Sequence, residues 1–192
     1  MQLWYEKKHI QTWDMTIVHA NDPTTRVLSI LYDTKEYNYM LIDEKSTNAE
    51  VQNIIRGDDL IIMLGHGNQY GLFSRPDKNG KYDRFLITDR HVQFLRNKIC
   101  IGIWCHANLF AERYGLHGLF SGMIISEQQE AMDYNIDATA EEIDIEMELF
   151  TRRLKACLDE YDLKDIPLIM RNHDYEKSEL NVFNYSHLHY FE

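Results

Sequence analysis

The chain has 192 residues, 44% hydrophobic and 12% aromatic, which suits one globular domain with a real core and argues against disorder. Its formal net charge of −11 and pI near 5.2 weigh against nucleic acid as the main partner, since binding a phosphate backbone needs a basic face. Three cysteines (Cys100, Cys105 and Cys157) without C-x-x-C spacing argue against a disulfide framework and for a reducing compartment. No apolar run approaches the length of a membrane span, and Met1-Gln2-Leu3-Trp4-Tyr5-Glu6 lacks the pattern of a signal peptide, so the expected location is cytoplasmic, with no membrane partner.

Residues 1–25 read as an N-terminal extension or edge elements, with a turn at Asn21-Asp22-Pro23. Arg26 to Tyr32 reads as a strand, and Tyr37 to Ile42 as a second one. Ser46 or Thr47 caps a short helix over Asn48 to Ile55, which Gly57 stops. The run Asp59 to Leu64 follows and meets Gly65-His66-Gly67. Leu72-Phe73 and Tyr82 to Leu86 flank Asp77-Lys78-Asn79-Gly80, the pattern of a β-hairpin. Thr88 or Asp89 opens a helix that Lys98 closes.

The run Ile99 to Trp104 then meets Cys105-His106-Ala107, and a helix is predicted over Asn108 to Tyr114, ended by Gly115. Leu119 to Ile125 reads as a strand interrupted at Gly122. Ala138 to Tyr161 carries Ile143, Met147, Phe150, Leu154, Cys157 and Tyr161 at steps of three and four, the apolar face of a long helix. Ile166 to Met170 reads as an edge strand that tolerates Pro167. Strands alternating with helices predict a three-layer α/β/α sandwich with a mainly parallel sheet, as a single domain over 1–192.

Two Ile-rich runs thus end on reactive side chains, His66 and Cys105. In open α/β sheets the working site lies beyond the carboxyl ends of the strands, so these two are expected to face each other there. That suits a thiol nucleophile and its base. Taken alone, Cys100 and Cys157 read as core. His66, Cys105 and His106 offer zinc-type donors, but no fourth ligand is suitably spaced, so no metal site is assigned. His106 fits a pocket-lining, helix-capping or solvent position equally. His187-x-His189 reads as alternating surface histidines on a strand.

A hydrophobic strand ending in His-Gly, then a hairpin and helix, then a hydrophobic strand ending in Cys, resembles the caspase-like (clan CD) cysteine peptidases, over roughly residues 26–127 with the 138–161 helix also in place. The sequence Ile103-Trp104-Cys105-His106-Ala107 departs from the caspase Gln-Ala-Cys signature and sets the chain nearer a diverged bacterial branch. The resemblance implies Cys105 as nucleophile and His66 as general base and acid. It implies an oxyanion hole from the N–H groups of Gly67 and Cys105, where each donor contributes about 3 kcal/mol. It requires no cofactor.

A thiol of ordinary pKa about 8.5 is mostly protonated at neutral pH, and the helix predicted just after Cys105 is expected to favour its thiolate. The family's substrate pocket corresponds here to Ser126 and Glu127. An acidic wall selects Arg or Lys before the cleaved bond, whereas the plainer reading makes Glu127 and Glu130 ordinary loop charges. The expected function is that of a cysteine endopeptidase acting on a peptide or protein substrate. The alternatives are a non-catalytic caspase-like binding or regulatory module, and a small-molecule hydrolase or amidotransferase, against which the His-before-Cys order counts.

Overall fold

The computed structural model describes residues 14–33, 38–172 and 178–192. Six strands form the central sheet: β1 (Asp14–His19), β2 (Asn38–Ile42), β3 (Leu60–Leu64), then Ile99–Ile103, His117–Ser121 and Leu188–Phe191. Three short strands between them, β4 (Gly67–Asn68), β5 (Gly71–Phe73) and β6 (Phe85–Ile87), pair antiparallel in a separate small sheet. The last three central strands are therefore β7, β8 and β9. The central order is β2-β1-β3-β7-β8-β9, parallel throughout except for β9, which runs antiparallel to β8.

Strand alternation sends successive side chains to opposite faces. Ile17, Ile62, Leu64, Ile101, Ile103 and Leu119 pack on one face, against α5 (Ala140–Glu160), α6 (Ile166–Asn172) and α7 (Glu179–Ser186). Val18, Ile61, Met63, Cys100, Trp104 and Phe120 pack on the other, against α1 (Asn48–Gly57), α2 (Val92–Leu95) and α3 (Ala107–Tyr114). Helices on both faces make the expected three-layer α/β/α sandwich. The remaining helix, α4 (Gln128–Asp133), lies in the segment after β8. No helix among the described residues is long and apolar enough to cross a membrane.

Local chemistry accounts for most element ends. Thr47 accepts from the Glu50 N–H while Glu50 accepts from the Thr47 N–H, capping α1 from both sides. Thr139 and Glu142 do the same for α5. The buried α5 positions Ile143, Met147, Phe150, Leu154 and Cys157 follow the predicted stripe, but Tyr161 lies past the helix end and is exposed. The hairpin forms between β5 and β6, and its turn is held by Asp77 Oδ1, which accepts from the N–H groups of Asn79 and Lys81.

Three local expectations are corrected. Arg26 to Tyr32 is not a strand: Pro23–Leu31 is a 3₁₀ helix, capped by the Asp22 side chain. Its buried residues Thr25, Leu28 and Leu31 recur every third position, the 3₁₀ period, while Arg26 is exposed. Ile166 to Met170 is not an edge strand but the start of α6. Pro167 sits in the first turn, where its missing N–H costs nothing, and Ile166 and Met170 are buried one turn apart. Within the segment 1–25, β1 is neither extension nor edge; it pairs with β2 on one side and β3 on the other. Residues 1–13 lie outside the described set. The strand predicted over Leu119–Ile125 is β8, displaced towards the N-terminus, and it ends before Gly122.

Candidate active site

Register brings the two sequence signals together. In the β3–β7 ladder Leu64 lies opposite Ile103, so both strands end at the same level. The Gly65 N–H donates to the Ile103 carbonyl at 3.1 Å, tying the two exit loops. His66 and Cys105 line one small cavity of about 20 Å³, with Thr24, Thr25, Ile124, Ser126 and Met147 among its walls. No hydrogen bond joins the two side chains.

Trp104, next to Cys105, turns its ring to the other face of the sheet, where it is 2% exposed. Its Nε1–H donates to the Asn68 carbonyl at 3.1 Å, bracing β4 from below. This close approach requires a glycine at 67: a Cβ there would sit 2.2 Å from Trp104 Cδ1 and 2.6 Å from the Gly71 carbonyl oxygen. The Phe73 N–H donates to the His66 carbonyl, which puts Gly67 at a non-hydrogen-bonded position of the β4–β5 ladder. The ladder therefore leaves the Gly67 N–H unused. The Cys105 N–H likewise has no partner among the described residues, whereas its neighbours His106 and Ala107 donate to Gly122 and Trp104.

The histidine side is held by residues distant in sequence. His66 Nε2 lies 2.8 Å from Thr24 Oγ1, at the start of the 3₁₀ helix. The Thr24 hydroxyl donates to Asp22 Oδ1 at 2.9 Å, the Thr24 N–H donates to the same oxygen at 3.1 Å, and the Tyr82 hydroxyl donates to Asp22 Oδ2 at 2.9 Å. Asp22 is only 5% exposed. Burial alone raises its pKa, but the bonds from Thr24 and Tyr82 and the nearby His66 outweigh burial and hold the carboxyl below its usual range. The Tyr82 ring packs on His66 at 5.3 Å between centroids. Behind this layer, His19 is buried between the Tyr32 hydroxyl and Thr25 Oγ1, and burial lowers its pKa to about 4.

The cysteine side differs from expectation. The Cys105 thiol contacts the Ile124 carbonyl at 3.5 Å and Glu130 Oε1 at 3.8 Å. Burial, and then the negative charge of Glu130, push its pKa up to about 12. The thiolate bias expected from the following helix is thus overturned. α3 begins at Ala107, after His106 in the left-handed region at φ 67°, and the nearest full charge is a carboxylate. Cys100 is buried in mid-strand and Cys157 on α5, as core residues, and both thiols are pushed up by burial.

Ser126 and Glu127 lie beside the cavity, but a third acid organises them. Glu130 Oε2 accepts from the Ser126 N–H at 2.8 Å, the Ser126 hydroxyl at 3.1 Å and the Glu127 N–H at 3.2 Å. Glu130 is therefore not an ordinary loop charge. Glu127 stands at the mouth, its carboxylate half exposed and 3.9 Å from His66 Nε2. On the hairpin side, Arg84 is tied to the carbonyls of Glu44 and Ser46, away from the cavity, and Arg75 is exposed.

Sequence reasoning gave Asp22, Thr24 and Tyr82 no place in the site and weighed Glu130 only as a loop charge. Asp22 had a signal as a turn residue before Pro23 and Tyr82 as a hairpin flank, but the contacts that join these residues to the site span tens of positions in sequence. No group of three or more His, Cys, Asp or Glu side chains among the described residues is placed to hold a metal ion. No protein-family model matches the chain, and no curated protein matches it significantly.

Proposed function

We propose that the protein is a cysteine endopeptidase of the caspase-like type. The observation that carries this reading is the shared cavity of His66 and Cys105 at the level ends of two adjacent parallel strands. In the proposed reaction Cys105 Sγ bonds to the substrate carbonyl carbon as His66 takes the thiol proton. The oxyanion is received by the N–H groups of Gly67, which the β4–β5 ladder leaves unused, and of Cys105, which lines the cavity. His66 returns the proton to the leaving amine as the C–N bond breaks. Water, deprotonated by His66, then cleaves the acyl-enzyme and frees the thiol. A reducing, cytoplasmic setting suits a mechanism that needs this thiol free.

The substrate is a peptide or protein with Arg or Lys before the cleaved bond. Glu127 supplies an exposed carboxylate at the mouth, and Ser126 lines the wall. A guanidinium facing that carboxylate gains a charge-assisted contact that an acidic side chain lacks.

One observation favours a second reading, a non-catalytic module on the same scaffold. Glu130 sits on Cys105, and a thiol with a pKa of about 12 is a poor resting nucleophile. An electrophilic peptide probe separates the two. The peptidase reading expects mass spectrometry to find Cys105 modified and Cys100 and Cys157 untouched. Modification spread over all three thiols, or absent from Cys105, favours the module. A fluorogenic peptide library varied at the residue before the cleaved bond tests the preference for Arg and Lys, and turnover confined to Asp substrates overturns it.

A further inference from the structure

We infer that Thr24 and Asp22 are positioning residues that hold His66 in its Nε2–H tautomer and leave Nδ1 as the basic nitrogen; the catalytic consequence rests on the peptidase reading above. The argument is one of proton counting. A carboxylate only accepts, so the 2.9 Å contact between Thr24 Oγ1 and Asp22 Oδ1 consumes the single hydroxyl proton of Thr24. Towards His66, Thr24 Oγ1 has only lone pairs to offer. The 2.8 Å contact is then an Nε2–H donation, and the neutral ring carries its lone pair on Nδ1.

Asp22 cannot turn away to release this order. Its Oδ1 also accepts the Thr24 N–H, its Oδ2 is closed by the Tyr82 hydroxyl, and the carboxylate is buried. The groups facing His66 are Thr24 and, through it, Asp22 from the 3₁₀ segment; Tyr82 from the hairpin; Glu127 from the loop before α4; and Cys105 across the cavity. Among the described residues, the other carboxylate paired with His66 Nε2 is that of Glu127. At 3.9 Å and half exposed it is beyond hydrogen-bond reach.

Nitrogen-15 NMR of the histidine ring reads the tautomer directly in the full chain, with His66 assigned by the loss of its signals in His66→Gln. The neutral wild-type ring is expected as Nε2–H. Thr24→Val is near-isosteric at an exposed position, so the fold is retained, and it is expected to yield a mixture or the Nδ1–H form. Thr24→Ser keeps the acceptor and the wild-type tautomer. Glu127→Gln leaves the tautomer unchanged. Where peptide hydrolysis is measurable, Thr24→Val lowers kcat about tenfold or more without raising KM, and Thr24→Ser restores it.

A wild-type ring found as Nδ1–H, or a tautomer that Thr24→Val does not move, overturns the inference. A chain that hydrolyses no peptide yet shows the Thr24→Val shift supports the positioning and removes only the peptidase reading. A chain that hydrolyses peptides with an unmoved tautomer removes only the positioning.

Discussion

On one side of the cleft, His66 is held by Thr24, which is held by Asp22, which is held in turn by Tyr82. On the other side, Cys105 meets an acceptor carbonyl and a carboxylate, and its thiol is driven towards the protonated form. The imidazole is held in place by a chain of hydrogen bonds; the thiol, partly exposed in the cavity wall, meets only acceptors. The difference shows that a Cys-His pair at adjacent strand ends does not by itself make an activated thiol. Whether a thiolate forms depends on the charge that the rest of the chain sets beside the sulfur.

The comparison breaks most completely at the sulfur itself. Cys105→Ala is expected to abolish labelling by an electrophilic peptide while the fold survives, at a cost of at most about 1–2 kcal/mol in denaturant unfolding. A variant that fails to fold instead marks Cys105 as a core residue.

Gly67→Ala strikes the His66 side from beneath. The new methyl meets both Trp104 and a backbone carbonyl, and the carbonyl cannot step aside. A loss of about 3 kcal/mol is expected, at the upper end for overpacking, together with a changed Trp104 fluorescence. Wild-type stability in this variant contradicts the bracing role of Trp104.

His19 tests the same side through pH. Its pKa is about 4 when folded and about 6.5 when unfolded, so between these values the unfolded chain binds the extra proton. The stability is fully present above about pH 6.5 and is lost as pH falls towards 4. Replacing His19 by Gln is expected to flatten this acid limb by about 3 kcal/mol, read from urea midpoints across that range. An unchanged limb shows that another group carries it.

The mildest change sharpens the cysteine side. Glu130→Gln keeps the side-chain shape and removes the negative charge beside the sulfur. Alkylation of Cys105 at neutral pH is expected to speed up about tenfold, the effect of one unit in thiol pKa. Cys100 is the internal reference, and equal acceleration at both thiols points to general loosening instead. In the wild type both thiols have pKa values of about 12 in the folded chain, above the unfolded value of about 8.5. The stability they contribute is therefore present below that value and is lost as pH rises towards 12.

By itself the sequence determined the architecture and the two strand ends. Ile-rich runs at Leu60–Leu64 and Ile99–Ile103 specify buried parallel strands, capping residues at 47 and 139 start helices, and Gly115 at φ 63° ends one; these are short-range signals with their cause inside a few residues. Pattern reading failed where period and length were ambiguous: a nine-residue 3₁₀ helix passed for a strand, and Pro167 in a first helical turn passed for an edge. The site was legible as far as His66 and Cys105 and the glycine between strand and hairpin. Only the tertiary structure decided the charge around them. Asp22 and Thr24 reach His66 across more than forty positions, and Glu130 reaches Cys105 from a helix beyond the next strand. A protonation state is set by burial and by such through-space neighbours, and neither is written in local periodicity.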